Sequence, residues 1–217
     1  TIDSSLQIQI INFGNFEDIY LVDKRFLKIF VPTVCLLLLL NAFNMADGIN
    51  GLAGTVFLSW SIYLLIKFTP LLELILPFMI GIIFFLYFNL NKKCFLGDGG
   101  NYFLSMMIGS IIIKLNSKEL GLLVAEEIFL LLLIPGIDML RLFILRLKKN
   151  KNPFYGDRSH FHHYLNEKYS LKTSILIYLG LINIPLYVYI FLNINLVILI
   201  LSSVVIYFLL IRMLVLK

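Results

Sequence analysis

Charge is what this chain has least of. Of its 217 residues 14% are Asp, Glu, Lys or Arg and 60% are hydrophobic, with a mean hydropathy of +0.93. Soluble domains run nearer a quarter charged and half apolar, so a soluble globular enzyme is excluded and a solvent other than water is required. There are two cysteines, Cys35 inside an apolar block and Cys94 in a basic loop, which excludes a secreted disulfide scaffold. No low-complexity linker and no internal repeat interrupts the chain, and its apolar content excludes a disordered protein. What remains is an all-α polytopic membrane protein, residues 1–217 forming a single transmembrane domain.

Seven apolar segments can be drawn near the ~20 residues that a spanning helix needs. They are Phe26–Asn41, Leu52–Lys67, Leu71–Leu90, Tyr102–Ile113, Leu120–Ile144, Thr173–Leu192 and Leu196–Met213, the fourth being short. Ahead of them, Leu6, Ile8 and Ile10 alternate with Gln7 and Gln9, and Asn12-Phe13-Gly14-Asn15 reads as a turn. This predicts a small β-hairpin outside the membrane, within residues 1–23.

Basic residues in the loops set the orientation. If the segments alternate, one side carries Lys92, Lys93, Arg141, Arg146, Lys148, Lys149, Lys151, Arg158, Lys168, Lys172, Arg212 and Lys217. The other carries Lys24, Arg25, Lys28, Lys67, Lys114 and Lys118. The richer side is expected to be cytoplasmic. Three polar stretches, 41–54, 89–101 and 138–165, then gather on that side, and a shared site is the economical explanation.

The first stretch reads Asn41-Ala-Phe-Asn44-Met-Ala-Asp47-Gly48-Ile-Asn50-Gly51-Leu-Ala-Gly54. Asn41, Asn44 and Asp47 recur every third residue, so a helix would carry them on about one face. The spaced glycines allow a broken helix whose backbone approaches a ligand closely; the plainer alternative is a helix ending in polar caps and a Gly-rich turn. The second stretch is Phe95-Leu96-Gly97-Asp98-Gly99-Gly100-Asn101. There Asp98 can cap a helix, or hold Mg²⁺ while backbone N–H groups face phosphate. Phe95 reads as an interfacial aromatic that could also stack on a flat base.

The third stretch opens with Asp138, a natural partner for Arg141 three residues on. A basic run follows, which can simply set topology, and then Asp157, Arg158, His160, His162 and His163 in the predicted loop 145–172. Three histidines in four positions could hold a transition metal. No H-E-x-x-H or cysteine partner appears, however, and Arg with His in a cationic loop suits an anion such as a diphosphate better. Glu126 and Glu127 acquire no role. Carboxylates, a divalent cation and Arg clamps at a membrane surface are the parts of phosphoryl transfer to a lipid phosphate.

In this order and spacing, Asn41–Gly54, Phe95–Gly100, Pro135–Arg146 and Pro153–His163 resemble the polyprenyl-phosphate N-acetylhexosaminyl-1-phosphate transferases. The resemblance implies transfer of a sugar 1-phosphate, GlcNAc-1-phosphate by its Asp-Arg-x-His-x-His-His form, from a UDP-sugar to undecaprenyl phosphate. UMP is released and a lipid-linked envelope glycan is begun. It implies Asp98 and Asp47 as ligands of Mg²⁺ (or Mn²⁺), and these two with His162 and His163 as catalytic residues. Asn41, Asn44, Asn50, Phe95, Asp138, Arg158 and His160 would bind substrate, Phe95 against uracil. The implied partners are the polyprenyl phosphate lipid, the UDP-N-acetylhexosamine and the membrane, with no nucleic acid; a homodimer is allowed. The implied location is the bacterial inner membrane, with the site on the cytoplasmic face.

Two departures stand out. Asn50 sits where many members of that family have a second Asp, keeping hydrogen-bonding shape but losing a charge. The family's adjacent Asp-Asp pair is absent, and about seven segments fall short of its ten or eleven helices. The chain, beginning with Thr1, is therefore expected to be the C-terminal part of a transferase. A non-catalytic paralogue and a metal-handling transporter are the alternative readings.

Overall fold

In hydrocarbon each backbone N–H and C=O must be satisfied within its own segment, so long apolar blocks have to be helical. The computed structural model describes residues 10–14, 17, 19–20, 25–117, 120–152 and 158–215. Two strands, β1 (Ile10–Ile11) and β2 (Ile19–Tyr20), precede α1 (Arg25–Ala46), α2 (Leu52–Lys67), α3 (Leu72–Leu90) and α4 (Gly97–Leu115). There follow α5 (Ala125–Lys148), α6 (Phe161–Lys168), α7 (Leu171–Leu192) and α8 (Leu196–Val215).

Among the described residues five helical stretches are long and apolar enough to cross a bilayer: Phe26–Ala46, Thr69–Leu90, Ala125–Lys148, Leu171–Leu192 and Leu196–Val215. Seven segments were expected, and the two that fall short have physical reasons. α2 has 16 residues, which rise about 24 Å. α4 spends its first turn on Gly-Asp-Gly-Gly-Asn, leaving a short apolar remainder. A further difference is α6, a two-turn helix inside the stretch expected to be a loop. Pro32, Pro77, Pro135 and Pro185 lie inside α1, α3, α5 and α7, as spanning helices allow when neighbouring groups satisfy the freed carbonyls.

α2 forms the centre. It packs against α1, α3, α4 and α7, and Leu52, Val56, Phe57, Trp60 and Leu64 are all buried. A helix buried on most sides needs no single amphipathic stripe, and apolar residues are spread around α2. Its Ser59 hydroxyl donates to Asn183 Oδ1 of α7 at 2.6 Å, a cross-helix bond within the apolar bundle. Gly109 of α4 lies where a Cβ would overlap Leu36 of α1, so the missing side chain sets how closely those helices approach.

The hairpin appears as an antiparallel pair, Ile10 opposite Tyr20 and Ile11 opposite Ile19. The expected strand residues Leu6 and Ile8, and Asn15 of the turn, lie outside the described residues. The hairpin is pinned to the turn between α4 and α5. The Asn12 amide donates to the Asn116 carbonyl at 2.8 Å, and the Asn12 carbonyl accepts from Ala125 N–H at 2.7 Å. Gly14 N–H donates to Glu126 Oε2 at 2.9 Å. Glu127 closes the same end of the bundle, accepting from the Tyr63 hydroxyl and from Lys67 Nζ, each at 2.6 Å. The two glutamates that had no role in the sequence thus join three elements.

Removing one member of a buried pair strands the other, at a cost of about 3 kcal/mol or more. Glu127 is 2% exposed. Glu127→Ala should therefore lower the detergent-solubilised protein's thermal midpoint by several degrees, read by static light scattering or intrinsic fluorescence. A midpoint unchanged within error would contradict this role.

Candidate active site

Helix α1 ends at Ala46 because the sequence turns to Asp47-Gly48, and α2 restarts at Leu52 behind Gly51. Gly51 has φ +86°, a conformation that a side chain resists. The break leaves backbone groups to be satisfied, and Asn89, at the end of α3, does so from a distance. Its Oδ1 accepts from Gly51 N–H at 2.5 Å, and its Nδ2 donates to the Cys94 carbonyl at 2.8 Å. One buried amide therefore ties the α1–α2 turn to the loop that leads into α4.

A second amide completes the junction. Asn101, in the first turns of α4, donates through Nδ2 to Asp47 Oδ2 at 2.8 Å and to Asn44 Oδ1 at 3.3 Å. Asn101 is 1% exposed and its own Oδ1 has no partner. Asp98 stands exposed one turn earlier on the same helix. Burial pushes the Asp47 carboxyl above its ordinary value; the Asn101 hydrogen bond opposes this and the charge of Asp98 adds to it.

The third stretch arrives through Asp138. Its Oδ1 accepts from Arg141 Nη2 at 2.7 Å and from the Tyr207 hydroxyl of α8 at 2.7 Å. Its Oδ2 faces His160 Nδ1 at 2.9 Å, and both oxygens lie 3.2 Å from Phe161 N. Arg141 Nη2 also donates to the Ser159 carbonyl at 2.7 Å. These bonds fix the start of α6, whose first turn holds His162 and His163.

Those histidines meet the first stretch at Gly48. A Cβ there would overlap His162 Nε2 and come within 2.8 Å of His163 Nε2. The His160 and His162 rings stack at 5.5 Å and 8°, and the His162 and His163 rings lie 4.3 Å apart. His162 is 1% exposed and its Nε2 is unpartnered. Burial, reinforced by His163 and His160, pushes its imidazole down to about 3, with Asp138 opposing. Burial, His160 and Arg158 lower His163 in the same direction.

The expected residues therefore divide. Asn44, Asp47, His162 and His163 come together around Asn101 and Gly48. Asp98 begins the helix that carries Asn101, and Asn50 lies half-buried in the α1–α2 turn. Phe95 is 85% exposed just ahead of it, and Arg158 is exposed two residues before His160. Asn41 stands apart on the exposed side of α1, its amide donating to the Leu37 carbonyl at 2.8 Å. Asp138 and His160 are buried and engaged with each other. Asp157 lies outside the described residues. Asn101 was missed as a site residue although Asp98, Asn101 and Ser105 mark a polar stripe at helical spacing; Asn89 only opens the second polar stretch, and Tyr207 gives no signal.

Two carboxylates with nearby amides form a hard, oxygen-rich set. Among the described residues no group of three His, Cys, Asp or Glu is placed to hold a metal. Mg²⁺ is commonly held by one or two carboxylates plus waters and substrate phosphates, and Asp47 with Asp98 fits that pattern.

The fold and this cluster define a class: an all-α membrane bundle with acidic, amide and histidine groups converging at one end. More specifically, residues 3–116 match the glycosyl transferase family 4 description, over half of the chain, and the chain belongs to that family. It is 27% identical over 166 residues to the undecaprenyl-phosphate alpha-N-acetylglucosaminyl 1-phosphate transferase of Escherichia coli (strain K12), covering 70% of this chain and 43% of that protein. The enzyme of the same name from Thermotoga maritima is 30% identical over 140 residues, covering 64% and 43%. The phospho-N-acetylmuramoyl-pentapeptide-transferase of Dictyoglomus thermophilum is 33% identical over 115 residues, covering 51% and 37%. The chain thus spans less than half the length of these curated relatives. No solved structure matches it.

Two outcomes are expected from this geometry. Gly48→Ala should push His162 and His163 out of place and lower the detergent-solubilised protein's thermal midpoint by several degrees; a midpoint unchanged within error would contradict the packing. His162 is depressed to about 3 from an ordinary 6.5 and is neutral when folded, beside His160, His163 and Asp138. The unfolded chain then binds more protons between those values, so stability is intact above about pH 6.5 and falls as pH drops towards 3. The slope reaches up to about 1.4 kcal/mol per pH unit. Denaturant midpoints between pH 7 and 5 should fall more steeply in wild type than in His162→Gln, and parallel curves would rule this out.

Proposed function

We propose that the protein containing this chain transfers an N-acetylhexosamine 1-phosphate, GlcNAc-1-phosphate in the first instance, from a UDP-sugar to a polyprenyl phosphate, releasing UMP. The observation that carries the reading is the junction at Gly48. There the Asn44–Asp47 turn, the α4 entry with Asn101, and the histidine helix α6 meet as one site. The names of the relatives, one an undecaprenyl-phosphate transferase from Escherichia coli, point the same way. The oxygen-rich edge of the site faces the cytoplasm by the loop-charge argument, in a bacterial inner membrane.

In this reading an oxygen of the lipid phosphate attacks the sugar-linked phosphorus, the phosphoanhydride bond breaks, and UMP leaves with the electron pair. Mg²⁺ held by Asp47 and Asp98 would neutralise the diphosphate. Asn44 and Asn101 hold Asp47 in place, and the free Asn101 oxygen offers an acceptor to the nucleotide. Phe95, exposed on its loop, provides a face for uracil. Arg158 brings the exposed positive charge that a diphosphate requires. His162, kept neutral by burial, serves by hydrogen bonding rather than as a cationic clamp. Asp138 orients α6 rather than touching substrate, because its oxygens are committed within the buried network, and His160 is anchored to it through Nδ1.

Membranes carrying the full-length protein, given UDP-GlcNAc and undecaprenyl phosphate, should release UMP in a Mg²⁺-dependent manner. Asp98→Asn should cut that release by at least about 100-fold, the scale lost with one electrostatic contact to a transition state. Undiminished turnover in Asp98→Asn overturns the assignment.

A further inference from the structure

Three stretches meet at Asp138, and α8 is the one that carries no site motif. Its Tyr207 is fully buried. The Tyr207 hydroxyl donates to Asp138 Oδ1 at 2.7 Å and accepts from Arg141 Nε at 2.9 Å. One phenol therefore touches both members of the pair from a helix more than sixty residues further along the chain. Its ring packs against Phe161, the first residue of α6, at 5.2 Å between centroids. Core filling alone would need the ring without the hydroxyl, because a buried hydroxyl costs free energy unless it is bonded.

The bonds lead onward to the site. A carboxylate that already accepts from Arg141, Tyr207 and Phe161 can only accept from His160 as well, so His160 carries a proton on Nδ1 and turns Nε2 away from Asp138. The His160 ring stacks on His162, and His162 and His163 abut Gly48. Groups that orient a histidine in this way govern which nitrogen it offers.

We propose that Tyr207 is a positioning residue for the histidine cluster. Its hydroxyl holds Asp138 and Arg141 in the arrangement that sets the tautomer and ring plane of His160, and through the stack it seats His162 and His163 against the Asn44–Gly48 turn. The consequence for turnover rests on the transferase reading; the geometric consequence does not.

The test uses Tyr207→Phe, which keeps the ring and removes the hydroxyl, in the full-length protein. The kcat for UMP release should fall about 10-fold, the scale seen when an orienting partner of a functional histidine is lost, while KM for the UDP-sugar stays within about twofold. In a His160→Gln background the same substitution should have no further effect, because Tyr207 acts through His160. An unchanged kcat, or an equal loss in both backgrounds, overturns the proposal.

A second measurement needs no turnover. Carbethoxylation of His160, His162 and His163 by diethyl pyrocarbonate, followed by peptide mass spectrometry, should be about 10-fold faster in Tyr207→Phe than in wild type, as loss of a charged hydrogen bond loosens the cluster. Identical labelling rates overturn the proposal. If the wild type forms no UMP but the labelling difference appears, positioning stands and the transferase reading fails.

Discussion

A carboxylate removed from water costs several kcal/mol unless donors replace its hydration. Asp138 is 4% exposed, and five donor groups surround it: two from Arg141, the Tyr207 hydroxyl, the Phe161 amide and His160 Nδ1. They come from α5, α8 and the entry to α6, so satisfying one charge forces three parts of the chain into register. The histidine helix is too short to be stable alone. It holds its place because its first residues are the donors that this buried charge needs.

Amide side chains do comparable work where helices break. Asn89 and Asn101 reach across to the α1–α2 turn, Asn89 accepting from the Gly51 N–H at the helix break and Asn101 donating to the side chains of Asp47 and Asn44. Glycine then allows what the amides hold: at Gly48 the missing side chain is the space that two imidazoles fill. The result is a polar junction in which Asn101 Oδ1 and His162 Nε2 are buried and unpaired. Such atoms are costly in an apolar bundle, and a polar ligand arriving at the junction would relieve them. At the other end of the bundle the polar groups are matched among themselves, Glu127 with Lys67 and Tyr63, Asn12 with Asn116, and the chemistry there is that of a clasp.

Most of the helical architecture was legible because membrane helices write themselves locally: a run of apolar residues as long as a bilayer is thick. The boundaries that shifted were those where local signals compete. In α4 polar capping residues shorten the apolar run, and in α2 burial by neighbours replaces lipid exposure. The helix α6 was hidden because it has only eight residues and is polar on balance, so the helical spacing of Phe161, Tyr164 and Leu165 was too short a pattern to stand out.

Asn44, Asp47, Asp98, His162 and His163 could be picked from the sequence because polar residues and glycines are conspicuous against an apolar background. Composition alone determined that this is a helical membrane protein, and motif order determined which family it resembles. Tertiary structure decided which residues act together: that Asn101 bridges Asn44 and Asp47, that Gly48 receives the histidines, and that Asp138 is held from α8 by Tyr207. Hydrogen bonds between residues 57 or 69 positions apart leave no periodicity in the chain. Only packing, which brings the end of one helix against the face of another, specifies them.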